Sequence, residues 1–482
     1  MERNRSGTIS SGILTGISTA AVSGSAAVAG VILSRKFGHG VKTDGFFAAY
    51  PLYLAVVLIA SVVRVVALPR FVRAATDRRL ASEVGVWVTS LAVPLAAVVV
   101  IAVLAPHGIA GLLTSEDGAR HYAAELLPWV IGSAAAQVLG GVVASALAAQ
   151  DDYATPALGF AAGSIAGLVV TVVLIGHGLI AFGWGLGVNG AISLLWPLAV
   201  LARRGGLGRP DAPPWSRVLE LAEGVTLPVA LQGLYVIANR FASGRESGDT
   251  TTFSYAYLIA AFFVALTATS LALVTTVPFA REGESPERSG RHVISASWLS
   301  LVPIGAAAGV FAVAGAFLTD HVLGSKYGGA TGAELSRLVV YFAPFMVASV
   351  AFTIAYPLIF VRGRAHWLPL VAAAALLVQV PLEWGLRGAF GLGGLAAGLA
   401  LTTAATLGAL LVGLRALKMT TRGVAIAAAV CGAVTALVFG VPGIVLGPIA
   451  TALVGLALYA AVLGAWRPPG LRHAWAYVRT LQ

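Results

Sequence analysis

Charge is what this sequence lacks most. Only 11% of its 482 residues are Asp, Glu, Lys or Arg, against about 25% in a soluble domain. Hydrophobic residues make up 58% and mean hydropathy is +0.89, so a soluble chain is excluded and the membrane class remains. Cysteine is limited to Cys431, inside an apolar run, which excludes an internal disulfide framework. No GxxxxGK(S/T) loop occurs, and the GSK fragment at 324–326 has the wrong spacing, which argues against nucleotide hydrolysis. HExxH, paired CxxC and GxSxG are absent and the eight histidines are scattered. No metal site and no cofactor are therefore expected.

What is present is apolar length. A spanning helix needs roughly 20 mainly apolar residues. About fourteen such segments follow one another, near 9–34, 46–68, 84–106, 124–149, 154–176, 178–201, 221–241, 252–279, 293–318, 336–360, 366–386, 391–414, 423–440 and 443–465. The first follows Arg3 and Arg5 but is too long for a cleaved leader. The net charge of +11 comes from basic residues in short loops between these segments. It reads as membrane topology and contact with anionic lipid, with no nucleic-acid partner. Arginine supplies 27 of the 31 basic residues, a bias that suggests a GC-rich bacterial genome.

Lys and Arg collect on the cytoplasmic side of a membrane. With the N-terminus inside, 21 of them fall on cytoplasmic segments and 9 on the opposite side. PRFVRAATDRR (69–79) and LARRGGLGRP (201–210) carry most of this bias, and RKFGHGVK (35–42) runs against it. Both termini are expected in the cytoplasm.

Three local matches recur at nearly one offset. VILSR (31–35) resembles VIANR (236–240), GLGVNGA (185–191) resembles GLGGLAA (391–397), and Pro69 of ALPRF matches Pro278 of TVPFAR. The offset carries six spans onto six spans, so both halves enter the membrane in the same direction, as parallel repeats. The expected fold is all-α and polytopic: a six-helix lobe over 1–215, a second over 216–415, and two additional helices with a tail over 416–482. Two such lobes should meet at a seam around a central cavity.

GVKTDGFFAAYPLYLAVVLIASV (40–62), the paired GLGVNGA and GLGGLAA elements, and VIANRFASG followed by FSYAYLIAAFFVAL (236–266) resemble the multidrug/oligosaccharidyl-lipid/polysaccharide exporter superfamily. Fourteen spans point within it to flippases of lipid-linked sugars and to the lipid II flippase group. The resemblance implies a cavity lined by the first, second, seventh and eighth spans. It also implies an apolar groove for a polyprenyl tail on the last two. Lipid II flippases carry arginines in the first two helices to hold a diphosphate. The corresponding places here hold Ser23, Ala29 and Val57, which tells against lipid II and leaves the broader class of lipid-linked glycan.

Polar residues inside spans are candidates by default, because an isolated charge in hydrocarbon costs about 2.5–3.5 kcal/mol or more. Arg64 interrupts SVVRVVALP (61–69). Counted to Pro69 at 1.5 Å per residue, it lies about 7 Å from the cytoplasmic end. It can be an anchor that snorkels or a guanidinium that grips a diphosphate. Arg35 and Arg240 hold matching ends of the two repeats, as interfacial anchors or as receivers of an anionic headgroup. Asp44 suits an N-cap of the second span or a partner for Arg35. Gln232, Tyr235 and Asn239 share a face of the seventh span, suited to sugar hydroxyls or to helix–helix bonding. Glu383 and Arg387 have the spacing of a self-satisfied ion pair. Glu383, Glu223 and Asp44 are the carboxylates available for ion coupling. Gln137 has no evident partner in the sequence.

These features predict a flippase, not an enzyme, in a bacterial inner membrane. It would move a lipid-linked glycan by alternating access, driven by an ion gradient, the membrane potential or the substrate's own gradient. Membrane lipids and glycan-assembly enzymes are the expected partners. A cation-coupled multidrug exporter and a membrane-embedded glycan polymerase are the alternatives. The polymerase would need a sizeable outward loop, whereas the longest, near 107–123 and 319–335, are short.

Overall fold

A computed structural model describes residues 3–213, 215–244, 246–269, 285–362 and 365–480. Among the described residues it contains sixteen α-helices and no strand. Many of the largest apolar side chains point outward: Val93, Leu104, Leu377, Ile444 and Val445 are each more than 70% exposed. A monomer in water does not sustain apolar surface on that scale. Helices with every backbone group bonded internally and an apolar exterior are what hydrocarbon demands.

The chain divides into two compact units, Met1–Val236 and Ile237–Gln482. The first holds α1 (Arg3–Phe37), α2 (Val41–Thr76), α3 (Leu80–Leu104), the short α4 (Pro106–Leu113), α5 (Asp117–Ala148), α6 (Ala154–Val173) and α7 (Ile180–Arg203). Next comes α8 (Trp215–Ala242), and the units divide within it. The second continues with α9 (Asp249–Val264), α10 (Pro286–Leu323), α11 (Gly329–Tyr341), α12 (Ala343–Val361), α13 (Leu368–Gly413), α14 (Leu417–Gly443), α15 (Pro448–Trp466) and α16 (Pro469–Thr480).

Ten described helices are long and apolar enough to cross a membrane, or eleven if α11 and α12, bent by 41° at their junction, form one span. The expected fourteen are not reached on that count, which covers described residues alone. One reason is visible in α13. It runs through both segments predicted at 366–386 and 391–414, bending at Gly391, whose φ of 61° and ψ of −140° suit a residue without Cβ. The segments predicted as outward loops, 107–123 and 319–335, contain α4 and the start of α11. Pro278 and TVPFAR (276–281) lie outside the described residues.

Unit 1 has a core of Trp87, Phe71, Val63, Val84, Val142 and Leu147, with α2 and α3 against α5. At its margin Arg217, near the start of α8, makes paired bonds to Glu83 of α3: Nε to Oε1 at 3.0 Å and Nη2 to Oε2 at 3.1 Å. Trp87 Nε1 adds a third donor to Glu83 Oε1 at 3.1 Å. In unit 2 the Phe439 ring of α14 lies where a Cβ on Gly309 (α10) or Gly455 (α15) would stand, 2.4 Å away in each case. Small residues thus let α14 seat directly on α10 and α15 on α14.

Candidate functional site

The start of α2 sets the first group of side chains. Gly38 and Gly40 have positive φ and turn the chain out of α1. The Thr43 hydroxyl accepts from the Gly40 N–H at 3.2 Å and donates to the Gly38 carbonyl at 3.0 Å. The helix therefore starts at Val41, and Asp44 is not its N-cap: its own N–H already bonds back to the Gly40 carbonyl at 3.0 Å. Asp44 is instead a buried carboxyl in the first turn, where the helix dipole favours negative charge. Arg35 lies in the last turn of α1 and is exposed, the end at which that dipole favours a cation.

One face of α2 carries an aromatic ladder at helical spacing. Phe46 stacks on Tyr50 with centroids 5.2 Å apart, and Tyr50 on Tyr53 at 5.6 Å. Gln137 of α5 donates its Nε2 to the Tyr53 hydroxyl at 2.6 Å. Gln137 has a partner after all, 84 residues away in sequence. The ladder continues to Phe182 of α7, 5.6 Å from Phe46. No sequence pattern pointed to this group.

Arg64 stands lower on α2. It is exposed, and its guanidinium carbon lies 4.7 Å from the centroid of Phe160 on α6, a cation–π distance. No carboxylate among the described residues pairs with it. The distance expected from Pro69 is also corrected. α2 continues to Thr76, so the helix ends about 18 Å beyond Arg64 at 1.5 Å per residue. A proline inside a membrane helix is tolerated where neighbours take up the freed carbonyl.

The depth of Phe160 is fixed by how α6 starts. Asp152 accepts from the Thr155 N–H at 2.9 Å and from its hydroxyl at 2.8 Å, and pairs with Arg204 at 2.8 Å. Burial pushes the Asp152 carboxyl up, but the Thr155 bonds and the Arg204 guanidinium outweigh it and hold the group below the usual carboxylate range. Phe160 therefore sits six residues into an anchored helix.

The seventh predicted span divides between the units. In unit 1, Tyr235 is fully buried and Gln232 half-buried. In unit 2, Asn239 is buried and its Oδ1 accepts from the Ser254 hydroxyl of α9 at 2.8 Å, so it serves helix–helix bonding. Arg240 Nη1 donates to the Ser243 hydroxyl at 3.3 Å, while Arg387 Nη2 of α13 donates to the Ser243 carbonyl at 3.2 Å. Two arginines from α8 and α13 thus converge on one residue. The side chain of Glu223 lies outside the described residues.

Arg387 consequently does not close the ion pair expected with Glu383. Glu383 is fully buried, and its Oε1 accepts from Gln379 one turn earlier. Its Oε2 has no hydrogen-bond partner among the described residues. The carboxyl lies against Gly398, on the far side of the Gly391 bend: a Cβ there would stand 2.8 Å from both carboxyl oxygens. The i,i+4 rule missed this because α13 folds back on itself and turns Glu383 toward its own second half. No group of three or more His, Cys, Asp or Glu side chains suited to a metal occurs among the described residues.

No family model matches this chain, and no curated protein matches it significantly in sequence. Solved structures do match. The chain is similar to the lipid II flippase MurJ in an inward closed conformation, with a TM-score of 0.75 at 14% identity, over 94% of this chain and 98% of that one. It is similar to an inward-facing multidrug resistance MATE family transporter of the MOP superfamily, with a TM-score of 0.61 at 14% identity over 84% and 94%. A MOP superfamily transporter from Pyrococcus furiosus gives 0.58 at 16% over 86% and 94%. The all-helical fold built here is shared with these solved structures.

Proposed function

We propose that this protein is a membrane flippase for a lipid-linked glycan carried on a phosphate or diphosphate. The observation that carries the proposal is Arg64: an exposed guanidinium within an apolar helix, held over Phe160 and free of any carboxylate partner. Its cost in hydrocarbon is recovered when an anion pairs with it, and a planar guanidinium binds phosphate oxygens two at a time. The fold shared with flippase and exporter structures supports transport over catalysis.

In this reading Arg240 and Arg387, gathered at Ser243, form a second cationic point for the headgroup. Within unit 1, Arg35, Gln232 and Tyr235 are further polar candidates for the substrate; in unit 2, Asn239 is a candidate whose Oδ1 already accepts from Ser254. Glu383 is the coupling carboxylate, since one of its oxygens is buried without a donor, and binding a proton or a cation relieves that. Glu223 and Asp44 are secondary candidates. Transport proceeds by alternating access, as the repeat in the sequence implies. The distribution of Lys and Arg supports cytoplasmic termini, and a bacterial inner membrane with glycan-assembly enzymes as partners completes this reading.

A cation-coupled multidrug exporter is the second reading. The same buried Glu383, with Ser23, Ala29 and Val57 where lipid II flippases carry arginine, favours it. Leaflet accessibility in proteoliposomes separates the two. The flippase reading expects a polyprenyl-diphosphate sugar to become accessible on the far leaflet while a cationic dye is not moved. Dye export without lipid movement would replace it with the exporter reading.

A further inference from the structure

The last carboxylate in the sequence is Glu383, and the 99 residues after it contain no Asp or Glu. The cations in that stretch are not spread evenly. Arg415, Lys418 and Arg422 bracket the start of α14, and Arg467 and Arg472 bracket the start of α16. All five are exposed, and none has a carboxylate partner among the described residues.

The fold brings these two sets to one end of unit 2. Arg467 adopts a left-handed conformation, φ 44°, and two prolines follow, so the chain turns sharply out of α15. α16 then lies against the first turns of α10. Ala474 is fully buried, Gly470 faces the Trp298 indole, and the rings of Tyr477 and His292 lie 5.8 Å apart. The start of α14 reaches the same place, because the Met419 methyl and the Thr420 hydroxyl meet Gly290 of α10. Among the described residues of this end, Glu287 is the one acid; Arg288 and Arg291 accompany it on α10. Arg281, Glu282 and Glu284 lie outside the described residues.

Large amphipathic rings accompany these cations, Trp466 at the end of α15 and Trp475 on α16. Trp475 is 58% exposed and Trp466 is 53% exposed. Exposed tryptophan beside exposed arginine, on and next to a short amphipathic helix, is the composition of a membrane–water interface.

We propose that α16 and the start of α14 form a docking surface for anionic phospholipid. Trp466 and Trp475 sit at headgroup level, and Arg415, Lys418, Arg422 and Arg472 engage lipid phosphates. Charge complementarity selects this occupant: five exposed cations, none paired with a carboxylate among the described residues, attract an anionic leaflet, and a zwitterionic one far less. The inference depends on the helices spanning a membrane and is independent of what the protein transports.

The test uses the full-length protein in detergent, titrated separately with phosphatidylglycerol and phosphatidylcholine, with retained lipid counted by native mass spectrometry. Wild type is expected to prefer phosphatidylglycerol, and removing cations should weaken that preference by about fivefold for each one. The triple variant Lys418→Gln, Arg422→Gln, Arg472→Gln should therefore bind both lipids alike. The variant Arg422→Lys, Arg472→Lys keeps the charge and should keep the preference, which separates lost lipid binding from misfolding. The emission difference between wild type and Trp475→Phe should shift to the blue with phosphatidylglycerol alone. Equal retention of both lipids by wild type, or an undiminished preference in the triple variant, would overturn the proposal. Displacement of the lipid by inorganic phosphate at matched concentration would also overturn it, because the site would then be one for free phosphate.

Discussion

GLGVNGA and GLGGLAA occupy matching places in the two halves of the sequence, yet the two units use them differently. In unit 1 the chain has already turned before the motif, through Ile175–His177 and Gly178 with φ 93°. Gly185 then lies inside α7 and lets α6 come close: a Cβ there would be 2.0 Å from the Thr171 hydroxyl and 2.6 Å from the Gly167 carbonyl. In unit 2 the motif is itself the turn, since Gly391 is the bend of α13 and has open space around its missing Cβ. The polar content of the two contacts also differs. Unit 1 seats a neutral pair beside Gly163, the Ser193 hydroxyl donating to Asn189 Oδ1 at 3.2 Å. Unit 2 seats the carboxyl of Glu383 against Gly398. The matching motifs are thus put to different structural use, and of these two contacts the one in unit 2 alone holds an ionisable group.

Glu383→Gln makes the Gly398 contact as neutral as the one at Gly163 at nearly constant volume, and the largest effect is expected there. Gradient-driven transport in proteoliposomes should fall about tenfold or more, the usual size of a coupling between sites, while the unfolding temperature holds. Transport and its gradient dependence both unchanged would remove Glu383 from coupling. Next come the paired glycines. Gly185→Ala should destabilise by about 3 kcal/mol, because backbone and side-chain oxygens must move apart. Gly391→Ala meets no atom and should cost about 1–2 kcal/mol of backbone strain alone. Thermal unfolding in detergent ranks the two, and a reversed order would mean that the motif's roles are the other way round.

The smallest effect is expected at Asp152. Asp152→Ala removes the acceptor at the start of α6 and should cost about 1 kcal/mol. Its carboxyl is held below the usual range in the folded state. Its contribution is therefore complete above the unfolded value of about 4, and is lost as pH falls through the lower folded value. Unfolding temperatures of wild type and variant should converge only in acid. Convergence near neutral pH would contradict the arrangement.

Much of the fold was legible because hydropathy and length decide which segments enter a membrane. α3, α5, α6, α7, α10, α14 and α15 each cover most of a segment predicted from composition. Breaks inside apolar stretches were not legible. α2 runs past Pro69, and α13 bends at Gly391 without stopping, because neighbouring helices and not local propensity decide what a proline or a glycine does there. At the sites, Arg64 could be found as a charge without an apparent reason to be where it is. Its ring partner Phe160, the bond from Gln137 to Tyr53 and the seat of Glu383 against Gly398 required the packing. Spacing along one helix assigns a side chain to a face, and which helix meets that face is a tertiary fact. The mistaken pair of Glu383 with Arg387 has this cause.

Arg64 is the residue on which the proposed grip on phosphate turns. The decisive measurement is the initial rate at which a polyprenyl-diphosphate sugar reaches the far leaflet of proteoliposomes, for wild type and Arg64→Ala matched in amount and unfolding temperature. Loss of charge-assisted hydrogen bonds worth about 1.5–3 kcal/mol predicts a fall of about tenfold to a hundredfold. An unchanged rate in the variant would contradict the claim that this guanidinium holds the phosphate.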